Sequence, residues 1–404
     1  MGFDPRLITK GGLDGAGLRR LFELNRSPGA GSASGFSFGI EEEYFLADRD
    51  TMHVVSRSPD HLFGSAAAAT EGRVDREFLE CQVEVATPPC DRIEDARTEL
   101  SYIRRVLGTI AADSGLTILS CGTHPTADWL HSVQTDKPHY DRVMGELQMI
   151  GRRNMLCGMH VHVELPEPSR RIKVMCRMIP YLPLLLALST SSPFWQGRRT
   201  GLMGYRLAAY DELPRTGIPE LLRTQAEYDA YVGALVASGV LRDAGSIWWS
   251  MRPSVKYPTL ELRAPDACTR IDDALAIASL YRSLVHHLFF NAEVNAGIDV
   301  AERALAVENK WRAQRYGVHG SFATLGGAVP IETFLEQVLD MVAPDAEALG
   351  CAAEVLDCRR IVAQGTSADC QIALYEQHAD QGDEEAMRAV CAWIARETLK
   401  PPAR

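Results

Sequence analysis

The sequence predicts an α+β fold, a curved and largely antiparallel sheet with one open active-site face and with helices packed on the other face. Four separated stretches, 36–46, 78–87, 154–165 and 247–262, alternate apolar and polar residues as half-buried strands do. Between and after them, apolar residues recur at helical spacing, most clearly over 91–114, 169–188 and 269–290. The apolar strand faces need a covering layer, so the polar faces are expected to remain open.

Composition narrows the class of protein. The 404 residues are 46% hydrophobic and 24% charged, with a net charge of −11 and no long basic run, which argues against nucleic acid as a partner. Ten cysteines without a CxxC pair predict free thiols in a reducing, cytoplasmic compartment. The longest uncharged run, 178–196, is about the length of a membrane span but carries Pro180, Pro183 and Pro193, so we predict a core helix with its exit turn and no membrane association.

The domain organisation is simple. Residues 1–35 are predicted to form an N-terminal extension, with a short helix over 13–25 and a flexible linker over 27–35. The main domain is expected over 36–380, and a C-terminal helix and tail over 381–404. Helical patterns cover 331–347, 350–363 and 383–398, with a loop predicted at 364–370.

The polar faces of the strands carry metal-ligand chemistry. On the first strand, Glu41 and Glu43 lie about 7 Å apart on one face with no cation nearby in sequence, and a hard divalent cation is the usual remedy. The other strands add Glu84, the pair His160 and His162 after Gly158, and Glu261 with Arg263. If these strands are neighbours, the side chains converge. Several carboxylates with one or two imidazoles favour Mg²⁺ or Mn²⁺ over Zn²⁺.

Arginines at the rim of such a cleft indicate a phosphorylated substrate. A multi-carboxylate magnesium site beside arginine commonly binds polyphosphate, and Arg252 precedes the fourth strand. The sequence has no GxxxxGK[ST] motif, so a nucleotide would be held without a P-loop. The loop over 189–206 carries Arg198, Arg199 and Arg206 and is either a surface loop or an anion-binding segment. His124 is interpreted as a structural loop histidine.

These stretches also carry a family resemblance. The segments FSFGIEEEYFL, EFLECQVEVATP, CGMHVHVELP, YLPLLLALSTSSPFWQGR, RPSVKYPTLELRAPDACTRIDDA and ENKWRAQRYG resemble, in this order over about 36–376, the motifs of the carboxylate–amine ligase family, also called glutamate–cysteine ligase type 2. The resemblance implies a glutamine-synthetase-like fold, often in a homodimer. It also implies ATP-dependent amide formation through an acyl phosphate, with Mg²⁺ or Mn²⁺, and with glutamate and cysteine as the default substrates.

The resemblance assigns roles to individual residues. The metal ligands it implies are Glu41, Glu43, Glu77, Glu84, His160 and Glu261. Arg263 is expected to contact phosphate, and Arg252 substrate or phosphate. Nucleotide or phosphate contact is expected from Asn309, Arg312 and Arg315. Four positions depart from the family pattern and leave the substrate open: Ser250, Glu164, Arg199 and Glu80.

Three alternatives remain open at this point. A guanidino-kinase-like phosphotransferase shares this kind of sheet and would yield no amide. A non-catalytic homologue would retain the pocket without the activity. A metal-dependent amidohydrolase is suggested by the pair His160 and His162, although such enzymes usually carry this pair on an early strand.

Overall fold

The computed structural model describes residues 35–403. The helix predicted over 13–25 and all but the last residue of the predicted linker lie outside the described residues. Within them, the strands are β1 (Phe38–Asp48), β2 (Val74–Arg76), β3 (Gln82–Ala86), β4 (Leu116–Leu119), β5 (Met159–Glu164), β6 (Phe194–Trp195), β7 (Arg198–Arg199), β8 (Thr216–Gly217), β9 (Trp248–Trp249), β10 (Met251–Pro253), β11 (Thr259–Leu262), β12 (Ser321–Thr324) and β13 (Gly327–Pro330).

The α-helices account for most of the remaining chain. They are α1 (Asp60–Ala69), α2 (Ile93–Asp113), α3 (Pro138–Leu147), α4 (Met149–Arg152), α5 (Arg171–Met178), α6 (Leu182–Ser189), α7 (Tyr205–Tyr210), α8 (Gln225–Ala237), α9 (Ile271–Phe290), α10 (Val300–Tyr316), α11 (Ile331–Ala348), α12 (Ala352–Gln364), α13 (Ser367–His378) and α14 (Asp383–Thr398).

A seven-stranded antiparallel sheet forms the centre of the described part. Its strand order is β10-β11-β5-β1-β3-β2, and β4 also pairs with β1. The register places Glu41 opposite His160 and Glu43 opposite Glu84. Glu261 lies opposite His162 on one side and Arg252 on the other. The four predicted strands are therefore neighbours, and the convergence of their polar side chains follows from this register.

The two faces of β1 bury different partners. Phe38 and Ile40 lie in the main hydrophobic core with residues of α5, α6 and α9, and Tyr44 lies in a second core with residues of α2. On the other face, the Glu41 side chain is 25% exposed and that of Glu43 11%, whereas Phe45 is fully buried in a third core with residues of β4 and α14. The polar face is thus open beside the carboxylates and is covered farther along the strand.

Helix α13 corrects the sequence prediction, because it begins inside the segment 364–370 that was expected to be a loop. Thr366 and Asp369 form a reciprocal capping box at its start, in which the Thr366 N–H donates to Asp369 Oδ2 at 2.7 Å. This T-x-x-D signal is present in the sequence. The helix has little amphipathic contrast, so its apolar periodicity does not reveal it.

Two expectations about the interior are confirmed. The helical stretch Pro168–Ser189 is long and apolar enough to cross a membrane by length and composition, but 89% of its most apolar window is buried inside the protein. It is the predicted core helix, interrupted by a 3₁₀ turn between α5 and α6. The ten cysteines, all within the described residues, are free thiols, and nine of them are buried.

Candidate active site

Adjacent strands bring three predicted metal ligands together on the open face. Glu41, His160 and Glu261 each offer one ligand atom, and these atoms lie within 4.8 Å of one another. The His160 Nδ1 atom is 3.5 Å from Glu41 Oε2, and its Nε2 atom is 3.9 Å from Glu43 Oε1. His162 Nε2 lies 3.3 Å from the other Glu41 oxygen. A single cation would therefore meet carboxylate and imidazole ligands from β1, β5 and β11.

Three further carboxylates form a second acidic group beside the first. Burial, together with repulsion from Glu77, raises the pKa of Glu43 to about 7. Burial and the neighbouring carboxylates of Glu77, Glu41 and Glu43 raise the pKa of Glu84 well above its usual range. Burial also raises the pKa of Glu77, which shares a hydrogen bond with Glu84. Such crowding is costly for the protein alone and is relieved by a bound divalent cation.

The pKa values of the two histidines shift in opposite directions. Burial, followed by the nearby positive charge of Arg263, lowers the pKa of His160 to about 4, so its imidazole is neutral near pH 7. Burial, the largest single cause, lowers the pKa of His162, but the carboxylates of Glu41 and Glu261 together raise it, and the net change is a rise. The buried Nε2 atom of His160 has no hydrogen-bond partner in the described part of the structure. A neutral imidazole with an unpartnered nitrogen is suited to ligate a metal.

The donor set fits a hard divalent cation. The structure offers carboxylate oxygens in excess over imidazole nitrogen, the preference of Mg²⁺ and Mn²⁺. The unpartnered His160 nitrogen and the crowded carboxylates are independent signs of the same fit. Of the six predicted ligands, the structure brings Glu41, His160 and Glu261 within reach of one ion. Glu43, Glu77 and Glu84 lie in the adjacent acidic group, and the ligand role of all six stays a prediction.

The two predicted catalytic arginines both bind Glu261 but are not equivalent. Arg252 grips this carboxylate with two hydrogen bonds of 2.8 and 3.1 Å, and its remaining nitrogen donates to the carbonyls of Gly245 and Ile247. Arg263 donates one bond to Glu261 and one to the Tyr210 hydroxyl, while its buried Nε has no partner among the described residues. Arg263 therefore keeps a donor for an anionic ligand, whereas Arg252 orients Glu261.

These arginines also set the charge of Glu261. Burial raises the pKa of this carboxyl, but Arg252 and Arg263 lower it by more, so the net result is a pKa well below the usual range. Glu261 is only 3% exposed. It therefore remains ionised as a ligand over the working pH range of most enzymes.

The predicted nucleotide-binding residues lie on α10, outside this cluster. Asn309 clamps the β12–β13 hairpin, since its amide donates to the Ala323 carbonyl at 2.8 Å and accepts from the Ala323 N–H at 2.7 Å. Arg312 donates to the Ser321 carbonyl of the same hairpin. Arg315 is exposed, with its guanidinium 5.1 Å from the centre of the Tyr316 ring. Their nucleotide contact stays a prediction.

The positions that depart from the family pattern have protein partners. Glu80 accepts hydrogen bonds of 2.9 Å from Arg76 and from Ser58, and Glu164 accepts one of 2.6 Å from Ser37. Arg199 pairs with Glu376 at 2.9 Å on the surface, and Ser250 is buried. The contacts of Glu80 and Arg199 account for these two side chains without a substrate.

The burial of two arginines near the site was not anticipated from the sequence. Arg206 is not part of a surface loop but is 3% exposed at the start of α7, beside Gly158. Arg104 lies behind β1, where it binds Glu42 between the two ligand carboxylates. The sequence does indicate the pairing of Glu42 with Arg104, because Glu42 falls on the apolar face of its strand and Arg104 falls on the apolar stripe of its helix.

The antiparallel sheet with a carboxylate- and arginine-lined face is the arrangement expected of a carboxylate–amine ligase. A family model described as glutamate–cysteine ligase family 2 matches residues 37–392, so the chain belongs to that family. A protein of Bradyrhizobium sp. (strain ORS 278), provisionally named glutamate–cysteine ligase 2, is 51% identical over 402 residues, which cover 99% of this chain and 97% of the relative. A similarly named Rhodospirillum rubrum protein is 42% identical over 91% of this chain and 96% of its own.

Solved structures of low sequence identity show the same fold. A bifunctional glutathione synthetase from Pasteurella multocida matches with a TM-score of 0.70 at 17% identity, over 90% of this chain and 52% of that one. A glutamate–cysteine ligase from Francisella tularensis matches with a TM-score of 0.66 at 15% identity, over 91% and 90% of the two chains. The predicted glutamine-synthetase-like fold is confirmed.

Proposed function

We propose that the protein is an ATP-dependent ligase that joins the γ-carboxylate of glutamate to the amine of a second amino acid, with cysteine as the default acceptor. The observation that carries the proposal is the meeting of Glu41, His160 and Glu261 on one sheet face, next to Arg263 with its unpartnered Nε. Family membership supports the ligase chemistry. The Francisella ligase was solved in complex with AMP, which supports an adenine nucleotide as substrate here.

The proposed reaction has two steps. A γ-carboxylate oxygen of glutamate attacks the γ-phosphorus of ATP, ADP leaves, and an acyl phosphate forms. The amine then attacks the acyl carbon, inorganic phosphate leaves, and the amine loses a proton. No side chain need act as a nucleophile, so positioning and charge neutralisation supply most of the catalysis. A divalent cation held by Glu41, His160 and Glu261 would supply the positive charge that neutralises the phosphate groups.

The residues of this chain have distinct parts in those steps. Arg252 holds Glu261 in place, and Arg263 presents a guanidinium donor where the transferring phosphoryl group would lie. The neutral imidazole of His160 and the carboxylates of Glu41 and Glu261, whose pKa values are both lowered, form the cation site. We also retain the homodimer as a proposal.

The test is a phosphate-release assay with Mg²⁺-ATP across pairs of amino acids, with products identified by mass spectrometry. Glutamate-dependent release, with a product equal in mass to donor plus acceptor less one water, is expected. Phosphoryl transfer without an amide product would instead indicate a phosphotransferase. ATP-independent hydrolysis with bound zinc would indicate an amidohydrolase, and an absence of ATP binding would contradict the proposal.

A further inference from the structure

A buried guanidinium connects the two sides of the candidate site. Arg206 is 3% exposed, and one of its nitrogens donates to the successive carbonyls of Arg263, Ala264 and Pro265 at 3.3, 3.5 and 3.0 Å. These three residues directly follow β11, and Arg263 is the first of them. Arg206 thereby holds the main chain from which the phosphate-directed arginine extends.

The same guanidinium lies against the peptide that positions Glu43. The Gly158 N–H donates to Glu43 Oε2 at 2.6 Å, and the Glu43 N–H donates back to the Gly158 carbonyl at 3.1 Å. A Cβ atom on Gly158 would lie 2.1 Å from Arg206 Nη2 and 2.6 Å from Cζ. Any larger residue at this position would therefore have to displace the guanidinium.

The surroundings of Arg206 leave part of its hydrogen-bonding capacity free. Its buried Nε has no partner among the described residues. Asp266 lies nearby and accepts from the Ser192 hydroxyl at 2.6 Å through one carboxylate oxygen, while its other oxygen is also buried and unpartnered. Arg206 is therefore not a fully satisfied structural arginine, and its positive charge acts on the region that contains Glu43.

We propose that Arg206 is a positioning residue that fixes the spacing between Glu43 and Arg263. It acts on the cation ligand Glu43 through its contact with Gly158, and on Arg263 through its hydrogen bond to the main-chain carbonyl of Arg263. The inference rests on the proposed function, because it assumes that this site binds a divalent cation and a phosphoryl group. Residues that orient metal ligands without touching the metal typically change metal affinity or activity by about 10- to 100-fold when they are replaced.

The experiment compares Arg206→Lys and Gly158→Ala with a matched control, Arg177→Lys. Arg177 is also buried and also donates to three main-chain carbonyls near the end of α9, those of Leu288, Asn291 and Val294, but it lies away from the carboxylates. Mn²⁺ affinity is measured in the full-length protein by electron paramagnetic resonance of the free ion. Thermal unfolding and the separate kcat and KM values are measured in parallel.

We expect Arg206→Lys and Gly158→Ala to weaken Mn²⁺ binding by about tenfold or more and to lower kcat. Arg177→Lys is expected to lower the unfolding temperature without changing Mn²⁺ affinity. Wild-type Mn²⁺ affinity in folded Arg206→Lys and Gly158→Ala, or an equal loss in Arg177→Lys, overturns the proposal. A wild-type protein that binds Mn²⁺ but forms no amide contradicts the proposed function instead, and the Mn²⁺ titrations still decide the role of Arg206.

Discussion

Glu42 and Arg104 form a fully buried ion pair directly behind the two ligand carboxylates of β1. Arg104 Nε donates to Glu42 Oε2 at 2.9 Å and its Nη2 donates to Oε1 at 2.6 Å, with both side chains at most 1% exposed. The remaining donors of Arg104 reach the carbonyls of Cys268, Thr269 and Thr398. One guanidinium thus joins the ligand strand, the segment after β11 and the end of the C-terminal helix.

Breaking this pair is expected to destabilise the fold strongly. Glu42→Gln or Arg104→Met should each lower the free energy of unfolding by about 3–5 kcal/mol, because each leaves a buried charge without its partner. The double variant should lose less than the sum of the two single losses, measured by urea unfolding in a double-mutant cycle. As a control, Arg388→Met, which removes an exposed pair with Glu385, should cost less than about 1 kcal/mol. Additive losses at Glu42 and Arg104 would contradict the pairing.

Replacing Glu84 should stabilise the metal-free protein but weaken its binding of Mn²⁺. Its half-buried carboxylate interacts with those of Glu77, Glu41 and Glu43, so Glu84→Gln removes repulsion and is expected to raise the unfolding temperature of metal-free protein. At a Mn²⁺ concentration 100 times the wild-type Kd, the ion should stabilise the wild type by about 2.7 kcal/mol, and a tenfold weaker variant should retain only about 1.4 kcal/mol of this. Equal Mn²⁺-induced shifts in both proteins would remove Glu84 from the ligand set.

Substitutions of Arg252 and of Arg263 should change different quantities, Mn²⁺ affinity in the first case and kcat in the second. Arg263→Lys should lower kcat by about 100-fold, since it removes a donor directed at the transferring phosphoryl group. Arg252→Lys loses the two-bond grip on Glu261 and should instead weaken Mn²⁺ binding by about tenfold. Arg199→Lys, on the exposed surface pair with Glu376, is the control and should change neither quantity. The same effect in both active-site variants would contradict the division of roles.

Much of the candidate site was predictable because strand residues alternate between two faces. This period placed Glu41, Glu43, His160 and Glu261 on polar faces, and the register then brought them together. The register itself was not predictable from the pattern, since it depends on long-range pairing. Glu77 precedes β3 and has no strand phase, so only the family resemblance pointed to it.

The remaining gaps have physical causes as well. Phe45 shares the face of Glu43 but is covered by the C-terminal helix, and a period of two cannot report which part of a face a distant helix covers. Arg206 lies in a glycine-rich segment typical of a surface loop, and its burial follows from Gly158, far away in sequence. Such contacts depend on tertiary packing, and the local periodicity of the sequence carries no information about it.

His124 supplies the last prediction, a pH dependence of stability away from the metal site. Its side chain is fully buried against the Phe45 ring, 5.7 Å between ring centres, and its Nδ1 accepts from the Thr126 N–H at 3.3 Å. Burial, the largest cause, lowers the pKa of His124 to about 4 from an ordinary value of 6.5. The unfolded chain therefore binds a proton at this position more readily than the native protein does.

The direction in which the free energy of unfolding changes with pH follows from that difference in proton binding. The contribution of neutral His124 is fully present above pH 6.5 and is lost as the pH falls from 6.5 to 4, by up to about 3 kcal/mol. His124→Asn, whose side-chain oxygen can accept from Thr126, should flatten the fall in unfolding free energy over this window. His131→Asn is the control, because the side chain of His131 is 82% exposed, and it should leave the fall unchanged. Urea unfolding at half-unit pH steps measures both, and an unchanged slope in His124→Asn would show that another group titrates there.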